Sequence, residues 1–200
     1  MKSDPRLRLA WAVALMLALA ARTATAAVSL EPFFGTYVGV AEVQDVRDGG
    51  DVRQRDMDIV IEPYKQGGFR IHWVNVSLVD GKRAAPGVER RVQTVLFEPA
   101  QDRSFFVEVA ETSPFRERGE TEPMRGDPVR WASLDEQGLH VYSFMVLEDG
   151  RYELQVYDRT LTDIGIDIRF QRIVDGALVR EITGTTARAN LEPEEDAATE

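Results

Sequence analysis

The chain has 200 residues, 34 acidic against 24 basic side chains, a net charge of −10 at neutral pH, and no cysteine. The acidic balance argues against nucleic acid or an anionic membrane surface as the main partner, since both require clustered positive charge. Without cysteine there are no disulfides, no thiol chemistry and no lipid attached at a cysteine, so stability must come from burial.

Residues 1–26 read as a cleaved secretion signal. Lys2, Arg6 and Arg8 make a basic start, Leu9 to Ala21 form an apolar run, and Ala24-Thr25-Ala26 places small residues where signal peptidase needs them. The run is shorter than the roughly 20 residues a spanning helix needs. Removing residues 1–26, which carry four basic side chains and Asp4, takes the net charge from −10 to −13. The mature protein is expected to start at Ala27 and to be periplasmic or secreted. Residues 27–190 suit a single domain, and 191–200 read as a disordered acidic tail.

From Ala27 on, short runs of Val, Ile, Phe, Tyr and Trp alternate with Gly, Pro and Asp-Gly. Expected strands are 33–46, 55–63, 68–79, 88–98, 103–110, 128–134, 138–147, 151–162, 165–174 and 177–187. Met57, Ile59 and Ile61 oppose Asp56, Asp58 and Glu62; Phe69, Ile71 and Trp73 oppose Arg70 and His72; Ile166, Ile168 and Phe170 oppose Asp167, Arg169 and Gln171. Each of these strands buries one side and wets the other. The 138–147 run differs, with Leu139, Val141 and Met145 on one face and Tyr142, Phe144 and Val146 on the other. It is covered on both sides, or it holds a partner.

Asp149-Gly150 and Asp175-Gly176 lie between apolar strands and fit type I′ hairpins, whose central residues need positive φ. Asp48-Gly49, Asp80-Gly81 and Gln66-Gly67-Gly68 are further turns. Connections this short permit only antiparallel neighbours. The fold expected is all-β, an antiparallel up-and-down meander of about ten strands closed into a barrel, with a β-sandwich as the alternative. The polar stretch 111–127, with Phe115 and Met124 in it, is either a binding loop or a surface excursion.

Phe33-Phe34-Gly35-Thr36-Tyr37-Val38-Gly39 resembles the opening of lipocalins and other calycin barrels. The resemblance rests on a Gly-x-aromatic opening and the strand count, with Tyr37 where that family usually has Trp. It implies a closed barrel whose end is plugged by Tyr37, with Arg180 or Arg188 from the last strand packed over it.

The chemistry-bearing residues are sparse. His72 and His140 are the only histidines and lack metal-ligand spacing, so no metal or cofactor is expected. Asp56/Asp58 and Asp163/Asp167 are spaced like paired carboxylates, but chance pairing is expected in so acidic a chain. No nucleophile motif or phosphate loop is present. Arg90, Arg91, Arg116, Arg118, Arg130, Arg159, Arg169, Arg172 and Arg180 could fork a ligand carboxylate or pair across strands. The candidate ligand site is Tyr37, Trp73, Tyr142, Phe144 and Arg180. The leading expectation is a non-enzymatic binder of a small lipophilic molecule; the alternative is an envelope interaction or structural protein whose barrel is filled by its own side chains, and an enzyme ranks third. No membrane span is expected after cleavage.

Overall fold

The computed structural model describes residues 28–46, 52–79, 82–83, 86–101, 105–109 and 121–189. The expected signal at 1–26, the expected tail at 191–200, Asp48-Gly49, Asp80-Gly81 and much of the 111–127 stretch fall outside these residues. Ten strands follow in chain order: β1 (Gly35–Asp45), β2 (Arg53–Tyr64), β3 (Gly68–Ser77), β4 (Arg90–Pro99), β5 (Phe106–Val109), β6 (Val129–Asp135), β7 (Gly138–Val146), β8 (Tyr152–Leu161), β9 (Gly165–Val174) and β10 (Ala177–Ala189). All neighbours are antiparallel and adjacent in sequence, and β10 returns to pair with β1. The sheet is therefore a closed ten-stranded barrel and not a sandwich.

Among the described residues β5 meets β6 at only two positions, Phe106↔Ala132 and Val107↔Trp131, whereas the closing seam runs in continuous register from Thr36↔Ala189 to Asp45↔Arg180. Glycine permits the approach. A Cβ on Gly39 would stand 2.3 Å from the Thr185 carbonyl oxygen and 2.7 Å from Thr186 Cα.

The hairpins differ in how they use Asp-Gly. Asp175 and Gly176 both take positive φ, 47° and 76°, as a two-residue type I′ turn requires. At the β7–β8 hairpin only Gly150 does, at 81°. There Gly150 N–H donates to Leu147 O at 2.9 Å and Leu147 N–H to Arg151 O at 2.7 Å. This is a three-residue loop, a type I turn ending in a left-handed glycine, and it differs from the type I′ turn expected there.

Strand direction gives the barrel two ends. The odd-numbered strands start at one end, where a 3₁₀ turn, Glu31–Phe33, precedes β1. This end is sealed. Phe33 is buried, and its carbonyl accepts a 2.8 Å hydrogen bond from the Tyr37 hydroxyl. Arg188 locks the seal. Its guanidinium donates to Phe34 O, Pro32 O and Tyr37 Oη at 2.6, 2.6 and 2.9 Å, and it lies 5.1 Å from the Tyr37 ring centre. Of the two last-strand arginines, Arg188 packs on Tyr37, and Arg180 sits at the other end.

The alternation read in the sequence decides what fills the sealed half. Ile59 and Ile61, Phe69 and Ile71, Val95 and Phe97, Leu139 and Val141, and Ile166 all point inward and are buried. Phe69 stacks on Phe97 at 4.9 Å and meets Phe106 edge-on at 5.1 Å. Asp56 and Asp58 point outward, and Arg83 pairs with both. The carboxylate pair is thus an anchor for the β3–β4 connection.

Candidate functional site

Toward the other end, inward positions change character on six strands. On β2 the inward row runs from Ile59 through Met57 to Arg55; on β3 it runs from Trp73 to Asn75. On β4 it passes from Gln93 to Arg91, on β9 from Phe170 to Arg172, and on β10 from Ile182 to Arg180. On β8 it runs from Arg159 through Tyr157 and Gln155 to Glu153. These side chains surround a hollow of about 880 Å³. Exposure marks the boundary between the halves. Phe69, Phe97, Leu139 and Ile166 are fully covered, whereas Tyr157, Phe170 and Ile182, which also point inward, are only partly covered.

Among the described residues the wall holds six arginines, Arg55, Arg90, Arg91, Arg159, Arg172 and Arg180, against one acid, Glu153. A strongly acidic protein has therefore gathered positive charge into its lumen. Two of the rim arginines are held by acids, Arg172 by Glu153 and Arg180 by Asp45. Arg180 pairs with Asp45 at 2.5 Å, and Arg53 holds the other oxygen of the same carboxylate at 2.6 Å. The hydrogen bond from Arg180 is the largest influence holding the Asp45 carboxyl below its ordinary pKa. Burial, then the neighbouring charges of Arg180, Arg91 and Arg53, push the Arg55 guanidinium down.

One wall is a hydrogen-bonded ladder. Residues two apart on a strand share a face, so Glu153, Gln155, Tyr157 and Arg159 form one inward column. The Tyr157 hydroxyl donates to Gln155 Oε1 at 2.7 Å, and Gln155 Nε2 donates to Glu153 Oε1 at 2.6 Å. Glu153 Oε2 accepts from Arg172 Nε and Nη2 at 2.8 and 2.6 Å. Burial works against the Glu153 carboxylate, but the donors Arg172 and Gln155 outweigh it and hold its pKa below the ordinary value.

The ladder stops short of its deepest member. Arg159 is 3% exposed, and neither Nε nor Nη1 has a hydrogen-bond partner among the described residues. Its guanidinium carbon lies 5.9 Å from the Trp73 ring centre and 5.8 Å from that of Tyr157. Two aromatic faces soften the isolation of the charge without neutralising it. The Ser143 hydroxyl, also inward, is a second buried polar group without a partner among the described residues.

Of the five residues singled out in the sequence, the structure brings Trp73 and Arg180 to this wall. Tyr37 belongs to the sealed end. Tyr142 and Phe144 face outward, because the inward parity of β7 belongs to Leu139, Val141, Ser143 and Met145. There Tyr142 stacks on Trp131 at 5.2 Å and Phe144 on Tyr152 at 6.0 Å. Tyr157, Phe170 and Met57 complete the wall and were not among the candidates. Arg159 was named only as one of many arginines.

Other chemistry is accounted for locally. His72 bonds Thr94 Oγ1 at 2.8 Å. His140 lies between Asp158 and Asp135, at 2.7 and 3.1 Å. Among the described residues no group of three or more His, Cys, Asp and Glu side chains could hold a metal, and no helix is long and apolar enough to cross a membrane. No protein-family model matches the chain, and no curated protein matches it.

Proposed function

We propose that this chain is a periplasmic, non-enzymatic binding protein that takes a small lipophilic ligand into the open half of its barrel. The observation that carries this reading is the divided lumen. One half is packed to completion and locked by Arg188, and the other is a hollow of about 880 Å³ walled by Met57, Ile59, Trp73, Tyr157, Phe170 and Ile182. A hollow of several hundred Å³, with an apolar and aromatic surface beside its arginines and amides, has the size of a small-molecule site and room for a lipophilic ligand. The Tyr37–Arg188 contact adds to the resemblance to calycin barrels, and the signal at 1–26 supports the address.

A second reading has its own observation. The outward apolar and aromatic side chains of β6 to β8 form a partly exposed patch, with Val129 37% and Tyr152 41% exposed. A patch of this kind suits contact with another envelope protein. Native mass spectrometry of protein purified from its own periplasm separates the two. A co-purifying small molecule is expected; a barrel carrying only a second polypeptide would replace the first reading with the second.

A further inference from the structure

We infer that the ligand is an acid and that it enters head first, with its anionic group docked on Arg159 at the floor of the hollow and its apolar part against Trp73, Phe170 and Ile182. This deepens the lumen-binding reading and rests on it.

The floor of the hollow is where an anion is most needed. Arg159 faces the hollow, is 3% exposed, and leaves Nε and Nη1 without partners among the described residues. Buried charges are ordinarily paired and hydrogen-bonded. The other acid-base chemistry of the lumen passes Arg159 by. Among the described residues Glu153 is the one acid in the wall, and it is taken by Arg172 and Gln155 near the rim. Asp158, the sequence neighbour of Arg159, has opposite parity and serves His140 on the outside. An incoming carboxylate, sulfonate or phosphate would supply the missing charge and acceptors together, and a planar guanidinium receives such groups by two-point contact.

The surroundings fix orientation and class. Trp73 and Tyr157 stand beside the guanidinium, so the atoms next to the head group must be flat or apolar. Above them the β8 column offers Gln155 and Glu153 on one side. Met57 and Ile59 of β2 and Ile182 of β10 line other parts of the wall. Arg55, Arg91 and Arg180 at the rim attract an acid from solvent, and they are also the competing place for its head group to stop.

The test uses two fluorophores that differ by one group: anilinonaphthalenesulfonate and phenylnaphthylamine, the same ring system with and without the sulfonate. Both are titrated into the folded mature protein, wild type, Arg159→Met, Arg55→Gln and Arg91→Gln. Both are expected to saturate, with the sulfonate bound more tightly. Arg159→Met is expected to cut the affinity ratio of sulfonate to neutral probe roughly ten- to a hundredfold, the loss of a charge-assisted contact. In the wild type, sulfonate affinity is expected to stay nearly level from about 50 to about 500 mM salt, because a buried pair is screened little. The salt series needs no variant and decides the matter if Arg159→Met does not fold. If neither probe saturates, the lumen-binding reading itself falls. If the neutral probe saturates but Arg159→Met leaves the ratio unchanged, that reading stands and the head-first proposal is overturned. It is equally overturned if Arg55→Gln or Arg91→Gln collapses the ratio in place of Arg159→Met, or if salt weakens the sulfonate steeply, since the head group then sits at the rim.

Discussion

A guanidinium removed from water without a carboxylate costs a fold several kcal/mol, and Arg159 occupies such a position. Burial pushes its pKa down to about 10, so it remains charged at neutral pH. The methionine variant, of similar length and without the charge, is expected to be more stable than the wild type by about 1–4 kcal/mol. Urea denaturation of ligand-free protein measures this, and a lower midpoint would show that Arg159 is satisfied in the fold. His140 makes the complementary case on the outer face. Its partial burial opposes the charged ring, yet Asp158 and Asp135 outweigh that and raise its pKa above the ordinary 6.5. A raised pKa means the folded state holds the proton more tightly. The stabilisation is complete below the unfolded value and is lost as pH climbs through the folded value. His140→Gln is therefore expected to lower the melting temperature at about pH 5.5 and to matter progressively less toward about pH 9. An equal cost at both pH values would assign His140 a role that does not involve its charge.

Strand β8 shows how one element turns a packed barrel into one with a site. Tyr152-Glu153-Leu154-Gln155-Val156 alternates apolar with polar residues before Tyr157-Asp158-Arg159 breaks the pattern. Hydrophobicity alone assigns Leu154 and Val156 to the core and the charges to solvent. The structure reverses this: Glu153, Gln155, Tyr157 and Arg159 line the lumen, and Leu154 and Val156 lie outside opposite Phe144 and Tyr142. A one-residue shift flips every side chain of a strand to the other face. The pairing around β8 selects the phase that gives the lumen its polar column. The same choice leaves the aromatics of β7 on the outer surface, because they need apolar cross-strand neighbours and Leu154 and Val156 supply them. The candidate residues Tyr142 and Phe144 were read from a strand apolar on both faces, and nothing local to that strand says which face is the lumen.

Closure of the barrel is a property of the whole molecule, and the β1–β10 seam completes it. Gly39 faces the backbone of Thr185 and Thr186 at distances no Cβ could occupy. Gly39→Ala is expected to destabilise the protein by about 1–3 kcal/mol through overpacking, although alanine ordinarily improves on glycine in a strand. Chemical denaturation checks the size of the effect, and hydrogen exchange should show β1 and β10 losing protection first. A neutral or stabilising alanine would mean that the seam has slack. The number of strands, their order and the positions of most turns were legible in the sequence. They depend on the two-residue period and on Gly, Asp and Pro chemistry, which act over a few neighbouring residues. The expected run 33–46 became Gly35–Asp45, and 165–174 became Gly165–Val174. The inward faces of β2, β3 and β9 were legible for the same reason. A closed barrel was expected with a sandwich as the alternative; the choice between them, the phase of β8, the pairing of Arg180 with Asp45 and the isolation of Arg159 were decided only in three dimensions. Each compares groups far apart in the chain, and whether a lumen fills or stays hollow depends on its circumference against the summed volume of side chains from every strand. No local pattern encodes that comparison.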